Sequence, residues 1–342
     1  MTGAAVLRGI GACSRTMNTM NELNDIERAA DDLAAVAAEV GKVIVGQKEL
    51  VDAILLCLVA DGHLLIEGAP GLAKTRTVRT FSEAVGGVWQ RIQFTPDLVP
   101  ADLVGTRVWR PDRSEFDVEL GPVMANFVLA DEVNRAAPKV QSALLESMEE
   151  RQVTIGGKTF ELPRPFLVMG TQNSIESEGT YPLPEAQTDR FLMKIAVSYP
   201  THSEELEVVR RTLTTAEKVE PVIDAARIIE LQEIRRGIHV PRTVADYAVR
   251  LVSASRDLAS NGDGLVSFGA GPRGSISLVR VAQARALLAG RRAISGDDIA
   301  AVAPMVLAHR LCLTFEATRR RIEPTSIIES LIATVTRPAP GA

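Results

Sequence analysis

The sequence predicts an α/β protein: a three-layer phosphate-loop core built on a parallel five-stranded sheet, followed by a smaller all-α domain. Three observations lead there. Residues 67–75, Glu-Gly-Ala-Pro-Gly-Leu-Ala-Lys-Thr, follow the apolar run His63-Leu64-Leu65-Ile66 and precede a helix-like stretch, the setting of a loop that grips phosphate. Short apolar runs alternate with helical or insert-like segments as far as Val197, the pattern of a mostly parallel sheet. Beyond Tyr199-Pro200 the strand signal fades and helical periodicity takes over.

The elements follow in order. Residues 1–21 hold Arg8, Arg15 and small side chains but no sustained apolar segment, so they are expected to be a disordered leader, with Met1, Met17 and Met20 as possible starts. Apolar residues recur at helical spacing from Asn24 to Ala60 with a break at Gly41, which predicts a helix, a turn at Val43 to Gln47 and a second helix. After the first strand, strand-length runs appear at Trp89–Gln93, Phe127–Ala130, Phe166–Thr171 and Phe191–Val197. Two departures interrupt the alternation. Residues 96–121 are too long and irregular for a plain crossover and contain two extended pieces, Arg107-Val108-Trp109 and Glu115 to Val118. Residues 152–162 read as a hairpin turning at Gly156-Gly157. Helical patterns then cover 204–213, 222–235, 242–259, 275–289 and 295–308, with Gly290 as a C-terminal stop and Ser295 with Asp298 as a capping box. The domains so predicted are a sheet core at 22–198, a helical domain at 199–336 and a disordered tail at 337–342.

Composition narrows the function classes. The 342 residues are 46% hydrophobic, enough for two cores. Acidic residues outnumber basic ones, 43 to 38, so no basic excess announces nucleic acid or a membrane surface. The longest apolar candidate for a span, Ala53 to Ala60, stops at Asp61, far short of the roughly 20 residues a bilayer needs. Cys13, Cys57 and Cys312 lack paired or metal-type spacing, which suits inert thiols in a cytoplasmic protein. His63, His202, His239 and His309 form no ligand pattern and are expected to be structural.

In the loop, Gly68 and Gly71 let successive backbone N–H groups of Ala69, Pro70's neighbours and Leu72 turn toward one anion. Lys74 supplies a point charge for the outer phosphates and the Thr75 hydroxyl a ligand for magnesium. Ala73 stands where the usual spacing has glycine, and is tolerable if its backbone keeps negative φ as part of the following helix. The run Phe127 to Ala130 ends in Asp131 and Glu132. There Asp131 would hold magnesium through water and Glu132 would act as general base toward the attacking water; taken alone the pair reads as the start of a solvated loop, and its place after the phosphate loop, across one intervening strand, reverses that reading. Asn173, after the fourth strand, could orient that water, or simply close a turn. Arg190, near the start of the fifth strand, is a surface ion-pair residue or an arginine finger reaching a neighbouring subunit's γ-phosphate. Arg273 sits at a helix entrance, where its charge opposes the dipole unless an anion lies beside it; a loop arginine is the plainer reading.

Taken together, the loop, Asp131-Glu132, Asn173, Arg190 and Arg273 resemble an AAA+ ATPase, and the insert and hairpin resemble the clade of MoxR proteins, magnesium chelatase and MCM helicases. Residues 67–75, Phe94 to Gly105, Asp131 to Ala136, Leu144 to Thr154 and Leu183 to Phe191 resemble MoxR proteins in particular. The likeness runs from about Val43 to Leu311. It implies that Pro-Gly-x-Ala-Lys-Thr is a family trait, that Asp131 and Glu132 are the Walker B pair, Asn173 sensor 1, Arg190 the finger and Arg273 sensor 2, with Gly46 and Gln47 near the adenine. Arg135 is a further cation near the carboxylates. The resemblance also implies ATP and Mg2+ as ligands, a homo-oligomeric ring of six, and a protein client remodelled for maturation or metal insertion, with a von Willebrand factor A domain partner. Two rivals remain: an MCM-like nucleic-acid translocase, against which stand the scarce cations of the hairpin and 4% aromatic content, and a low-turnover nucleotide switch.

Overall fold

A computed structural model describes residues 4–69, 71–173, 180–213, 217–261 and 264–339, with side chains from residue 24 onward apart from Asn261. Helices α1 (Ala4–Val43) and α2 (Lys48–Val59) precede strand β1 (Leu64–Glu67), followed by α3 (Lys74–Ala84) and β2 (Trp89–Gln93). The insert comprises α4 (Pro100–Val104) and the hairpin β3 (Gly105–Arg110) and β4 (Glu115–Leu120). Next come β5 (Phe127–Asp131), α5 (Pro138–Glu150), the second hairpin β6 (Gln152–Ile155) and β7 (Lys158–Glu161), β8 (Leu167–Gln172), α6 (Glu185–Thr188) and β9 (Met193–Ala196).

The sheet order is β2-β5-β8-β1-β9, with every pairing parallel. Strands buried on both faces read as continuous apolar runs rather than alternating ones, and alternate residues go to separate cores. Leu64, Ile66, Phe127, Leu129, Leu167 and Met169 join a core with α1, α2, α3 and the C-terminal helices. Leu65, Val128, Ala130 and Val168 face α5 and the two hairpins. The three expected layers are these two cores with the sheet between them. Gly156 and Gly157 both have positive φ, +57° and +82°, as a two-residue type I′ turn requires.

After the sheet come α7 (His202–Thr212), α8 (Ala225–Arg236), α9 (Arg242–Asn261), β10 (Val266–Phe268), α10 (Pro272–Leu288), α11 (Gly296–Leu307), β11 (Cys312–Leu313), α12 (Phe315–Arg319) and α13 (Pro324–Thr334). The Ser295–Asp298 capping box forms and Gly290 adopts φ +65° after α10. Burial would push the Asp298 carboxyl up, but hydrogen bonds from Arg291, Ser295 and Arg285 outweigh it and hold it at about 2.

Five differences from the sequence reading stand out. The break after the first helix falls at Gly46, where φ is +71°, because α1 passes straight through Gly41. That helix also starts at Ala4 rather than near Asn24, so most of the leader expected to be disordered is helical; no proline interrupts it. The short ribbon β10–β11 and helices α12 and α13 add to a domain expected to hold five helices. The tail is anchored at its start by Arg337, which donates to Asp297 at 2.6 Å, while residues 340–342 lie outside the described residues. One core also crosses the expected boundary at 198/199, since α1 and α2 share it with α8, α9 and α10. Of the four histidines, His63 is buried and serves a structural role as read. His63 accepts from the Val168 N–H through Nδ1 and faces the Met148 carbonyl through Nε2; burial pushes it down to about 3. Among the described residues no helix is long and apolar enough to cross a membrane.

Candidate active site

Parallel strands deliver their C-terminal ends to one edge of the sheet, and a cavity of about 410 Å³ opens there. It is lined by Gly71, Leu72, Ala73, Lys74, Thr75, Arg76, Arg91, Gln93, Asp131, Glu132, Thr171 and Asn173. Of the residues singled out from sequence, the loop from Gly71 to Thr75, both carboxylates and Asn173 meet here. Gly68 and Ala69 are buried at the loop's entry, and a side chain at Gly68 would meet the Val197 carbonyl oxygen at 2.8 Å. Pro70 lies outside the described residues. Lys74 donates from Nζ to the Gly68 carbonyl oxygen at 2.7 Å. Burial draws its ammonium below the usual lysine range, against the pull of Asp131, Glu132 and Glu67.

Ala73 departs from expectation. Its φ is +55° and ψ +16°, left-handed rather than helical, because it is the N-cap of α3 and turns the loop into the helix. A Cβ in that region costs roughly 1–2 kcal/mol, which explains why glycine is the usual residue. Ala73→Gly is therefore expected to raise unfolding stability by about 0.5–1 kcal/mol after the extra flexibility of unfolded glycine is subtracted. Thermal melts of the nucleotide-free protein check this; a lower melting temperature would contradict the assigned backbone.

The carboxylate pair depends on a second left-handed residue. Successive strand side chains point to opposite faces, so Asp131 and Glu132 could not both face one cavity in a straight strand. Glu132 breaks the alternation with φ +56° and ψ +50°. Three neighbours not recognised from sequence complete the arrangement. Thr171 donates from Oγ1 to Asp131 Oδ1 at 2.6 Å and accepts the Glu132 N–H at 2.8 Å. From β2, Arg91 donates to Asp131 Oδ2 at 2.7 Å, and Gln93 donates to Glu132 Oε2 at 2.9 Å. Arg135 lies 3.2 Å from the same Glu132 oxygen. The signal for Arg91 and Gln93 was their two-residue spacing on a strand adjoining Asp131; Gln93 pairs with Asp131 in register.

Arg190 and Arg273 are elsewhere. Met193, the first residue of β9, aligns with Leu64, the first of β1, whereas the phosphate loop leaves the other end of β1. Four strand residues span roughly 13 Å, so Arg190 lies across the sheet from its own loop. It lines a second cavity of about 320 Å³ with Asp61, Glu149, Arg151, Asp189, Arg273 and Arg310 among others. Arg190 precedes β9 by a turn rather than starting it. Arg273, in the first turn of α10, does have an anion beside it, but the anion is the Glu149 carboxylate, with Nη2 to Oε1 at 2.5 Å. Gly46 and Gln47 do not line the phosphate cavity; a side chain at Gly46 would meet Glu204 of α7 at 3.0 Å.

An oxygen donor set of the Thr75 hydroxyl and the Asp131 carboxylate, both lining one cavity beside a lysine, fits a hard divalent cation with a polyphosphate. When bound, magnesium would offset charge on the phosphate oxygens and ATP would supply the bond to be cleaved. In that case the loop N–H groups and Lys74 would hold the phosphates, and Glu132 would face the position from which a water proton must be taken.

Comparison with known proteins identifies the family. The family described as "ATPase family associated with various cellular activities (AAA)" matches residues 63–193, and an AAA lid domain matches 259–331. The chain is 49% identical over 325 residues to Chaperone MoxR1 of Mycobacterium tuberculosis, covering 94% of this chain and 84% of the relative. It is 42% identical to the uncharacterized protein YeaC of Bacillus subtilis, over 90% of this chain and 95% of that one. The crystal structure of a putative ATPase from Cytophaga hutchinsonii superposes with a TM-score of 0.88 at 41% identity, covering 94% of this chain and all of the other.

Proposed function

The chain belongs to the MoxR-type AAA+ ATPases, and from that premise we propose that it hydrolyses ATP with magnesium at a site completed by a neighbouring subunit, using the cycle to remodel a protein client. The observation that carries this reading is the separation of the two charged clusters. Loop, Lys74, Asp131, Glu132 and Asn173 share one end of the sheet, while Arg190 and Arg273 share a cavity at the other. Cations that stabilise a phosphoryl-transfer transition state must touch the terminal phosphate, and the distance of these two from their own loop supports the reading that they serve a different subunit's nucleotide. A ring of six, cytoplasmic and paired with a von Willebrand factor A domain protein, is the assembly this reading favours by analogy with the family. Remodelling of protein is preferred over nucleic-acid translocation because the second hairpin's turn is Gly156-Gly157 with one adjoining lysine, Lys158, too little charge to track a phosphate backbone.

The test is steady-state phosphate release over a range of protein concentrations. Turnover per subunit is expected to rise with concentration as rings assemble, and to vanish when magnesium is chelated. A rate per subunit independent of concentration down to the monomeric range would exclude a shared site.

A further inference from the structure

Glu149, next to last in α5, forms ion pairs with two guanidiniums at once. Its Oε2 lies 3.1 Å from Arg190 Nε and its Oε1 2.5 Å from Arg273 Nη2. The two arginines come from different halves of the protein, one from the turn before β9 and the other from the first turn of α10. Next to them, Asp189 is held by buried Arg310, Nε to Oδ1 at 2.8 Å, and lies 3.9 Å from Arg273 Nη1. Arg310 also donates to the carbonyls of Asp189 and Phe191, so the backbone on both sides of Arg190 is pinned while its side chain is left to Glu149.

We infer that Glu149 is a positioning residue: a carboxylate that aligns Arg190 and Arg273 of its own subunit for the terminal phosphate held by the next one. The inference rests on the shared-site reading. A guanidinium carries five donors in a fixed fork. Anchoring Arg190 through Nε directs its two terminal nitrogens away from the anchor, the edge suited to bidentate contact with phosphate. Without the carboxylate, two like charges would face each other across the junction between sheet and lid, and each would swing on a long side chain. Exposed ion pairs contribute little to stability, and Glu149, Arg190 and Arg273 are each at least one-third exposed. Stability alone is thus a poor account of a carboxylate shared between two domains.

The test uses full-length Glu149→Gln, which removes the charge and replaces one of the two oxygens, each now paired with a different arginine, by an NH2 donor. Assembly, followed by sedimentation, is expected to be unchanged and KM for ATP to stay within about 2-fold, while kcat falls about 10- to 100-fold, the size of effect a displaced catalytic group produces. Mixing then locates the defect. Glu149→Gln mixed with Glu132→Gln should turn over ATP faster than the two alone, because a Glu132→Gln subunit still offers an intact arginine face to a Glu149→Gln subunit's nucleotide. Glu149→Gln mixed with Arg190→Ala should gain nothing, since both lesions lie on the same face. A kcat within 2-fold of wild type, or restoration by Arg190→Ala instead of Glu132→Gln, overturns the proposal. If Arg190→Ala and Glu132→Gln themselves fail to restore each other although both assemble, the shared-site reading fails instead. Should Glu149→Gln not assemble, Glu149→Asp, one methylene shorter with the charge kept, is taken through the same mixtures and judged by the same outcomes.

Discussion

Replacing Glu132 by glutamine is expected to lower ATP turnover about 10²- to 10⁴-fold, the usual contribution of a positioned general base, while ATP affinity stays within a few-fold of wild type. Glutamine keeps the size of the side chain and can still accept from Gln93, the 2.9 Å partner of Glu132, so the cavity walls remain. What disappears is the basic oxygen that takes a proton from water. The phosphate loop and Lys74 are untouched, and they carry the binding of the substrate's charge. Phosphate release and titration with a fluorescent nucleotide measure the two quantities separately. Turnover near the wild-type rate would remove Glu132 from the reaction; loss of binding would make it a structural residue.

Arg190→Ala is expected to cost more, about 10³- to 10⁵-fold in kcat, which is what removing an arginine finger costs in nucleotide hydrolases. The loss should be recoverable. Arg190 lies across the sheet from its own loop, by the alignment of Met193 with Leu64, so on the proposed shared-site reading the damaged group and the damaged site belong to different subunits. Adding Glu132→Gln protein, itself inactive, should restore part of the activity, because its intact Arg190 can face the intact loop and Glu132 of an Arg190→Ala neighbour. Two variants that assemble together and still hydrolyse nothing would show that Arg190 acts within its own chain or not at all.

Much of this was legible in the sequence. Strands buried on both faces need unbroken apolar runs, so β1, β5 and β8 could be located to within two residues, and the partly exposed edge strands β2 and β9 fell within the same margin. Paired glycines marked the β6–β7 turn, and Ser295 with Asp298 marked the start of α11. The pieces missed were those whose signal is short or conditional. The ribbon β10–β11 has three residues in one strand and two in the other, too few for periodicity to register. Gly41 and Gly46 look alike on paper, and only the second has a backbone that closes the turn.

The sequence by itself determined which chemistry is present: a phosphate loop, two adjacent carboxylates, a polar residue after the fourth strand and two arginines, because each lies in a local pattern of a few residues. Tertiary structure alone decided how they divide. Strand order brings Thr171, Arg91 and Gln93 to the carboxylates, and left-handed backbone at Ala73 and Glu132 aims the loop and the base. The parallel register of β9 with β1 then sends both arginines to the far end of the sheet, where Glu149 joins them. Local sequence specifies a residue's conformation through its near neighbours, whereas which side of the sheet it reaches depends on pairing between segments more than a hundred residues apart.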